Sequence, residues 1–392
     1  MRVLLVHNYY QQPGGENSVF ENLCRLLKRV GQEVIIYSRY NSEISEFNLK
    51  ENFWMGIEGF FSVRTWRDIR DLVQREHPDV AIVQNVFPLI SPSVYYALKS
   101  KSVPVIQVVY NYRFICPNAH LFCKGAICKR CVSGNYLHAV VNKCYRQSYA
   151  SSSWYASILG YHRFMRTWNR KIDVFMVPDN FLGDRLVEGG ISITKIKKNV
   201  NPFFVEDYQP HYQQGRFILY VGRIVKQKGV FTLVKAMSRL SSESLPLYIV
   251  GDGEDRNLLQ AYINRMNLQH KVRLLGPKWG DEVKELMRAS RCLVVPSEWY
   301  DNLPLIICQS YATAKPVIAS AINGIPEYVE HEVDGLLFYP TNDQDLAKCI
   351  ERLNRDLDLV DKMAVNARRK AEQIFDFRSY WNALELVIKS LL

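Results

Sequence analysis

Apolar residues fall along the chain in two rhythms. Short unbroken apolar runs recur at 3–8, 34–39, 80–85, 103–110 and 174–178. They return at 217–222, 246–251, 272–276, 292–296 and 316–320. Each run is too short for a buried helix and too continuous for a sheet with one wet face. Each therefore predicts a strand covered on both sides. Between the runs apolar positions are spaced for one face of a helix. In 18–30 they are Val19, Leu23, Leu26, Leu27 and Val30, with Gly31 as the stop signal. In 151–170 they are Trp154, Ile158, Tyr161, Met165 and Trp168. Helices are also expected at 230–240, 254–266, 281–289, 305–314 and 377–392.

Buried strands alternating with helices predict parallel sheets with right-handed crossovers. The alternation lapses at 112–150, a Cys-, Asn- and Gly-rich insert, and restarts after 201–215, a linker carrying Pro202 and Pro210. The expected fold class is α/β, with two doubly wound, Rossmann-like domains over 1–200 and 216–376. Such a pair would leave a cleft at the carboxyl ends of its strands. The last helix, 377–392, would pack back on the first domain. With 392 residues the chain is long enough for two cores. No apolar run reaches the length of a membrane span. The first ten residues read as a buried strand and not as a signal segment. A cytoplasmic protein is the expectation.

Charge changes this picture in one half only. The net charge is +11. Residues 1–200 hold 26 Lys and Arg against 15 Asp and Glu, while 201–392 hold 24 of each. Between Asp79 and Asp173 there are 12 basic residues and no acid. Such a region suits an anionic partner such as acidic lipid headgroups, a lipid pyrophosphate or nucleic acid. The neutral second domain argues against a nucleic-acid binder. The segment 154–171 mixes aromatics with His162, Arg163, Arg166, Arg170 and Lys171. It reads either as a membrane-surface helix or as a core helix with a solvated basic face.

Nine cysteines in a cytoplasmic chain argue against a disulfide framework. Cys24, Cys292, Cys308 and Cys349 lie in apolar patterns and read as core. The spacing of Cys116, Cys128, Cys131 and Cys144 has the look of a four-thiolate structural zinc site. Reduced free thiols are the competing reading, with a disulfide or iron–sulfur site behind it.

Candidate chemistry sits at the predicted strand ends. Gly14 and Gly15 follow the first strand and would let backbone N–H groups approach a phosphate or sugar. Gly222, Arg223, Lys226, Lys228 and Gly229 follow the first strand of the second domain. Cations there suit a diphosphate and would stabilise it as a leaving group without a metal. The turn at Gly251-Asp252-Gly253-Glu254 opens a helix and suits a nucleotide loop or a plain strand–helix turn. Asp301 and Gln309 flank Pro304 at a helix start. Gln309 would face the cleft, and its amide suits ribose hydroxyls.

With these residues in place the chain resembles the retaining glycosyltransferases of GT-B fold, family 4 (group 1). The matching motifs are Pro13-Gly14-Gly15-Glu16, Gly222-Arg223 with Lys228-Gly229, and Val250-Gly251-Asp252-Gly253. Further matches are Pro296-Ser297, Lys315-Pro316-Val317-Ile318-Ala319-Ser320, Gly324-Ile325-Pro326-Glu327 and Asp334-Gly335-Leu336-Leu337. The stretch 112–144 resembles a Cys-rich insert of a polysaccharide-assembly branch of that family.

The resemblance implies transfer of a sugar from a nucleoside-diphosphate sugar, of UDP or GDP type, to a lipid-linked anionic glycan acceptor. Transfer would retain the anomer and need no catalytic cofactor, at the inner face of the membrane. The catalytic set implied is Arg223, Lys228 and Asp301. Donor-binding positions are Gly14, Gly15, Gly222, Gly251, Asn302, Leu303, Gln309 and Glu327. The acceptor side holds Tyr110 and Asn111. The chain departs from the family at Asp301 and Gln309, which stand where the family has a Glu pair. Tyr110 stands where it has His, and Ala314 where it has Gly. These departures leave an alternative reading, a weakened or inactive homologue that binds nucleotide sugar or scaffolds an assembly.

Overall fold

The protein is described here by a computed structural model covering residues 1–11, 14–46 and 56–392. Pro13, the first residue of its Gly-Gly motif, lies outside the described residues. The chain divides into two compact units. One comprises Met1–Cys123, Cys128–Pro202 and Phe377–Leu392; the other comprises Phe203–Asp376 with Lys124–Ile127.

The first unit is built on β1 (Arg2–Tyr9), β2 (Glu33–Tyr40), β3 (Val80–Val83) and β4 (Val105–Val108). A two-stranded ribbon, β5 (Phe122–Cys123) and β6 (Ala126–Ile127), interrupts it. Its sheet then ends with β7 (Val174–Val177) and β8 (Ile196–Lys198). The sheet order is β2-β1-β3-β4-β7-β8, parallel throughout. Val3, Leu4, Leu5 and Val6 are all buried, so both faces of β1 are covered, as its unbroken apolar run requires. The helix Phe377–Lys389 belongs to this unit. Its Tyr380 carbonyl accepts from Asn199 Nδ2 at 3.1 Å, and Arg29 stands over the Phe377 ring at 4.5 Å.

The second unit contains β9 (Ile218–Val221), β10 (Leu247–Val250), β11 (Val272–Gly276), β12 (Cys292–Val295), β13 (Val317–Ser320) and β14 (Gly335–Phe338). Their order is β11-β10-β9-β12-β13-β14, again all parallel. The order reverses between β9 and β12. A doubly wound sheet opens a crevice at that point, because the flanking loops leave toward opposite faces.

Two glycines let the loops at this point close on each other. Gly229 has φ +72°, and a Cβ there would lie 1.7 Å from the Pro296 carbonyl oxygen, at the end of β12. Gly251 has φ +136°, and its Cβ would lie 1.9 Å from the Gly222 carbonyl oxygen. No other residue type fits either position without moving backbone.

Several expectations are corrected. The 151–170 helix is two helices, Tyr149–Phe164 and Thr167–Lys171, broken at Arg166, whose φ is +52°. His162 is not on a basic surface: it is fully buried. Its Nε2 lies 3.0 Å from the Phe60 carbonyl oxygen, which only accepts, so Nε2 carries the proton. Nδ1 then accepts from the Thr167 hydroxyl at 3.0 Å. Trp168 is buried too, and Arg163 donates to the Gly189 carbonyl at 2.6 Å. Cys24 is half-buried and not in the core. The expected linker is in part core of the second unit, since Phe203, Phe204 and Val205 are buried. The first helix begins at Gly15 and not at Ser18, with Gly14 as its cap residue. β8 and β14 are additional strands.

Two outcomes follow from this packing. Burial drives the His162 pKa down to about 4, against a smaller upward pull from the Phe60 carbonyl. The unfolded chain then binds the proton first as pH falls from 6.5. Neutral His162 thus contributes stability above pH 6.5 that is lost as pH falls through about 4, by roughly 3 kcal/mol. Urea midpoints measured across this window should fall less in His162→Asn than in the parent. Gly229→Ala should lower the stability of the second unit by about 3 kcal/mol or more, read as a lower urea midpoint. An unchanged midpoint would show that the turn is not confined as described.

Candidate functional site

The chemistry of the second unit gathers where its strand order reverses. β9 ends at Val221, and Gly222 and Arg223 follow directly. The Gly222 N–H is held by the Val250 carbonyl at 3.0 Å. The Tyr220 hydroxyl donates to the Arg223 carbonyl at 2.8 Å, which turns the chain sharply. A short 3-10 turn, Lys226–Lys228, then ends on Gly229. On the neighbouring side β12 runs into Pro296, Ser297, Glu298 and Trp299. The Glu298 N–H donates to the Gln227 carbonyl at 2.9 Å, so the two loops are joined through backbone.

Trp299 is 6% exposed and underlies both cations. Lys228 Nζ lies 5.4 Å and Arg223 Cζ 5.9 Å from its ring centroid. The indole gives each cation an attractive partner that is not a competing anion. Asp301 forms an ion pair with Lys228 through Oδ2, and the same oxygen accepts from the Ser297 hydroxyl at 2.9 Å. The Asp301 carbonyl accepts from Asn323 Nδ2 at 2.5 Å. Asp301 is therefore fixed at side chain and backbone. Thr232 donates to Glu298 at 2.5 Å; burial raises the Glu298 pKa, and that bond lowers it in part.

The other donor positions are less uniform. Gln309 lies within the helix Leu305–Ala312 and is half-buried. Its side chain hydrogen-bonds with Tyr208, whose hydroxyl pKa burial pushes up to about 12 while Gln309 pulls it back. Asn302 is half-buried and Glu327 exposed on the turn Ile325–Glu327. Leu303 is 2% exposed, so its side chain is core and only its backbone is available to a ligand. Asp334 of the Asp-Gly motif is structural. It pairs with Lys370 and accepts from the Tyr311 hydroxyl at 2.5 Å. Trp299, Tyr208 and Asn323 were not singled out by sequence. The available signal for Trp299 was its place just past the end of β12.

In the first unit the order reverses between β1 and β3. A cavity of about 20 Å³, the size of one water, lies near the carboxyl ends of β3 and β4. Its walls include Glu16, Gln84, Gln107, Tyr110, Asn111 and Arg113. Glu16 sits in the first turn of the helix Gly15–Arg29, where the helix dipole favours a carboxylate. Its two oxygens accept from Asn111 Nδ2 at 2.6 Å and the Tyr10 hydroxyl at 2.8 Å. The Tyr110 hydroxyl accepts from Gln84 Nε2 at 3.3 Å. Burial holds the Tyr110 pKa far above its usual value, with Tyr380 and Glu16 adding to the effect. Tyr110 is thus a neutral hydrogen-bonding group and not a base. Among the described residues, a Cβ at Gly14 would meet nothing within 4 Å. Gly15 is the first helical residue.

The five cysteines of the insert all lie in the first unit. Cys116 and Cys131 are buried, and Cys123, Cys128 and Cys144 half-buried. Cys144 Sγ donates to Cys123 Sγ at 3.6 Å, a neighbour the spacing argument had left aside. Cys131 lies within electrostatic reach of Cys116, Cys128 and Cys123, and Cys144 of Cys116 and Cys131. Among the described residues, no three His, Cys, Asp or Glu side chains are grouped closely enough to hold a metal as they stand.

Comparison with known proteins now bears on this arrangement. Residues 206–370 match the family described as glycosyl transferases group 1, a span that includes both site loops of the second unit. The chain is 26% identical over 365 residues to an uncharacterized glycosyltransferase, MJ1178, of Methanocaldococcus jannaschii, covering 91% of this chain and 89% of that one. It is 28% identical over 191 residues to the UDP-Gal:alpha-D-GlcNAc-diphosphoundecaprenol alpha-1,3-galactosyltransferase of Escherichia coli, covering 47% of this chain and 48% of that one. Most of the curated relatives it matches are spanned over less than half their length. In fold it is similar to Anabaena Alr3699/HepE, solved in complex with UDP, with a TM-score of 0.72 at 16% identity over all of both chains. That neighbour shares the GT-B fold. The chain therefore has the GT-B fold, and residues 206–370 of its second unit match the glycosyl transferases group 1 family.

Proposed function

We propose that the protein moves a sugar from a nucleoside-diphosphate sugar, of UDP or GDP type, to a lipid-linked glycan acceptor in cell-surface polysaccharide assembly. The observation that carries this reading is the pair of cations, Arg223 and Lys228, beside Trp299 at the end of β9. A diphosphate offers several charged oxygens and fits two convergent cations. In the transfer, the bond from the anomeric carbon to the diphosphate breaks and a bond from that carbon to the acceptor hydroxyl forms. The acceptor proton passes to the departing diphosphate oxygen, and charge developing there is met by Arg223 and Lys228. Asp301 is held by Lys228 and Ser297, which makes it a poor nucleophile. Catalysis then rests on stabilising the leaving group and placing the acceptor, with no catalytic metal and with retention of the anomer.

Gln309 would meet the ribose, and Asp301 the donor sugar. Gly222, Gly251, Asn302, the Leu303 backbone and Glu327 would complete the donor pocket. The acceptor would be taken by the first unit, near Tyr110, Asn111 and the turn at Gly14 and Gly15. That unit has the basic, acid-free stretch. On it Tyr161, Phe164 and Met165 are exposed, Phe164 to 84%, with Arg166 and Arg170 also exposed. Apolar tips flanked by cations suit the headgroup layer of an anionic membrane. Among the described residues no helix is long and apolar enough to cross a membrane. A peripheral position on the cytoplasmic face fits these features.

Calorimetric titration of the purified protein with UDP, GDP and their sugars tests the donor site without an acceptor. One nucleotide should bind, more tightly with its sugar attached. Arg223→Ala and Lys228→Ala should each weaken that binding roughly ten- to a hundredfold, the range for losing a charged hydrogen bond. Both should abolish transfer. Unchanged affinity in both variants would remove these loops from the donor site.

A further inference from the structure

We propose that Arg113 and Gln84 form a subsite of the first unit for an oxyanion that stands beside a hydroxyl: the phosphate or carboxylate of the acceptor. This deepens the acceptor side of the proposed function and rests on that reading. The cavity near the carboxyl ends of β3 and β4 holds about 20 Å³, room for a single oxygen. Tracing the partners of the polar side chains around it leads to the subsite.

Most of these side chains are already committed. Gln107 donates from Nε2 to the Gln84 and Val108 carbonyls at 2.7 and 2.8 Å, and its Oε1 accepts from the Tyr95 hydroxyl at 2.6 Å. Asn111 donates from Nδ2 to one Glu16 oxygen at 2.6 Å, and its Oδ1 accepts from the Arg113 N–H at 2.9 Å. The other Glu16 oxygen accepts from the Tyr10 hydroxyl at 2.8 Å. Asn85 is held to the Asn8 carbonyl at 2.8 Å and to the Phe87 N–H at 3.2 Å. Two atoms are left over. Gln84 Oε1 and Arg113 Nε are buried, and among the described residues neither has a hydrogen-bond partner. Gln84 is only 3% exposed, and its Nε2 is engaged with the Tyr110 hydroxyl, which fixes the way the amide faces. Buried polar atoms left unpaired in this way cost free energy that a ligand can return.

The two atoms define what the ligand must carry. Gln84 Oε1 only accepts, so it calls for a hydroxyl. Arg113 Nε only donates and belongs to a group that is always charged, so it calls for an anionic oxygen. The neighbours of Arg113 do little for that charge. Its Cζ lies 5.8 Å from the centre of the Tyr155 ring. Burial holds the hydroxyl pKa values of Tyr10 and Tyr155 far above their usual range, so both are neutral. Glu16 is a carboxylate within electrostatic reach, but its two oxygens are taken by Asn111 and Tyr10. A water in the cavity satisfies the hydrogen bonds and not the charge, whereas one oxygen of a phosphate or carboxylate satisfies both. An acid group with a hydroxyl next to it is the chemistry of a sugar phosphate or an acidic sugar. The subsite places the acceptor; no proton is transferred there.

Calorimetric titration of full-length protein with sugar probes tests this. The Arg223→Ala, Lys228→Ala double variant is used, so that the donor cations take no part. Glucose 1-phosphate or glucuronic acid should bind roughly tenfold or more tightly than uncharged glucose, the range for one charged hydrogen bond, and the tighter of the two names the anion. Arg113→Met should remove the preference for the acids. Its urea midpoint should be no lower than before, since a buried charge has been taken out. Arg113→Lys keeps the charge without the planar fork and should keep part of the preference. Gln84→Met should weaken binding of all three sugars and leave the preference intact. Glucose binding as tightly as the acids would overturn the proposal, and so would a full preference in Arg113→Met. If Arg113→Met does not fold, unchanged binding in both Arg113→Lys and Gln84→Met overturns it. Nucleotide binding by the parent protein depends on Arg223 and Lys228 instead, and so separates a failure of this subsite from a failure of the donor reading.

Discussion

The backbone contact between the turn at Gly229 and the carbonyl of Pro296 is the constraint on which the paired cations of the second unit depend. In a doubly wound sheet the loops at the reversal of strand order leave toward opposite faces. Here they are brought back together, and only a residue without a Cβ allows it. Once the loops close, Lys228 reaches Asp301 and both cations come to lie by Trp299. The charged groups are thus arranged before any ligand is present. A site arranged in advance loses little free energy to reorganisation when charge develops in it.

The Lys228–Asp301 pair has a second consequence. It balances a cation that would otherwise repel Arg223 across the indole. On the proposed reading, an arriving diphosphate would compete with Asp301 for Lys228. A one-carbon shorter acid suits this geometry, because Ser297 and the Asn323 amide already fix the chain around it. The substitution of Asp for the family's Glu fits a pocket built around the shorter side chain.

The first unit uses the same architecture with weaker charges. Glu16 replaces the cations as the organising group, holding Tyr10 and Asn111 across the carboxyl ends of the strands. The neutral Tyr110 and Gln84 complete a polar wall suited to sugar hydroxyls rather than to proton transfer.

Much of the fold was legible because strands buried on both faces write themselves as apolar runs, and that rhythm is local. β8 escaped notice because it is a three-residue edge strand with two lysines. The break at Arg166 escaped because no Gly or Pro marks it. Arg223 and Lys228 were legible as cations just past a strand end. His162 was misread because a helix pattern does not say what covers the face it lies on. Tyr208 had no signal of its own, since it matters through a partner far along the chain, and Trp299 had only its place just past the end of β12. The sequence by itself determined two wound sheets, the chemistry available at their strand ends and a cysteine-rich insert. Only the tertiary structure decided which side chains meet. Periodicity depends on neighbours three or four residues away, whereas an ion pair such as Lys228 with Asp301 depends on how two loops cross in space.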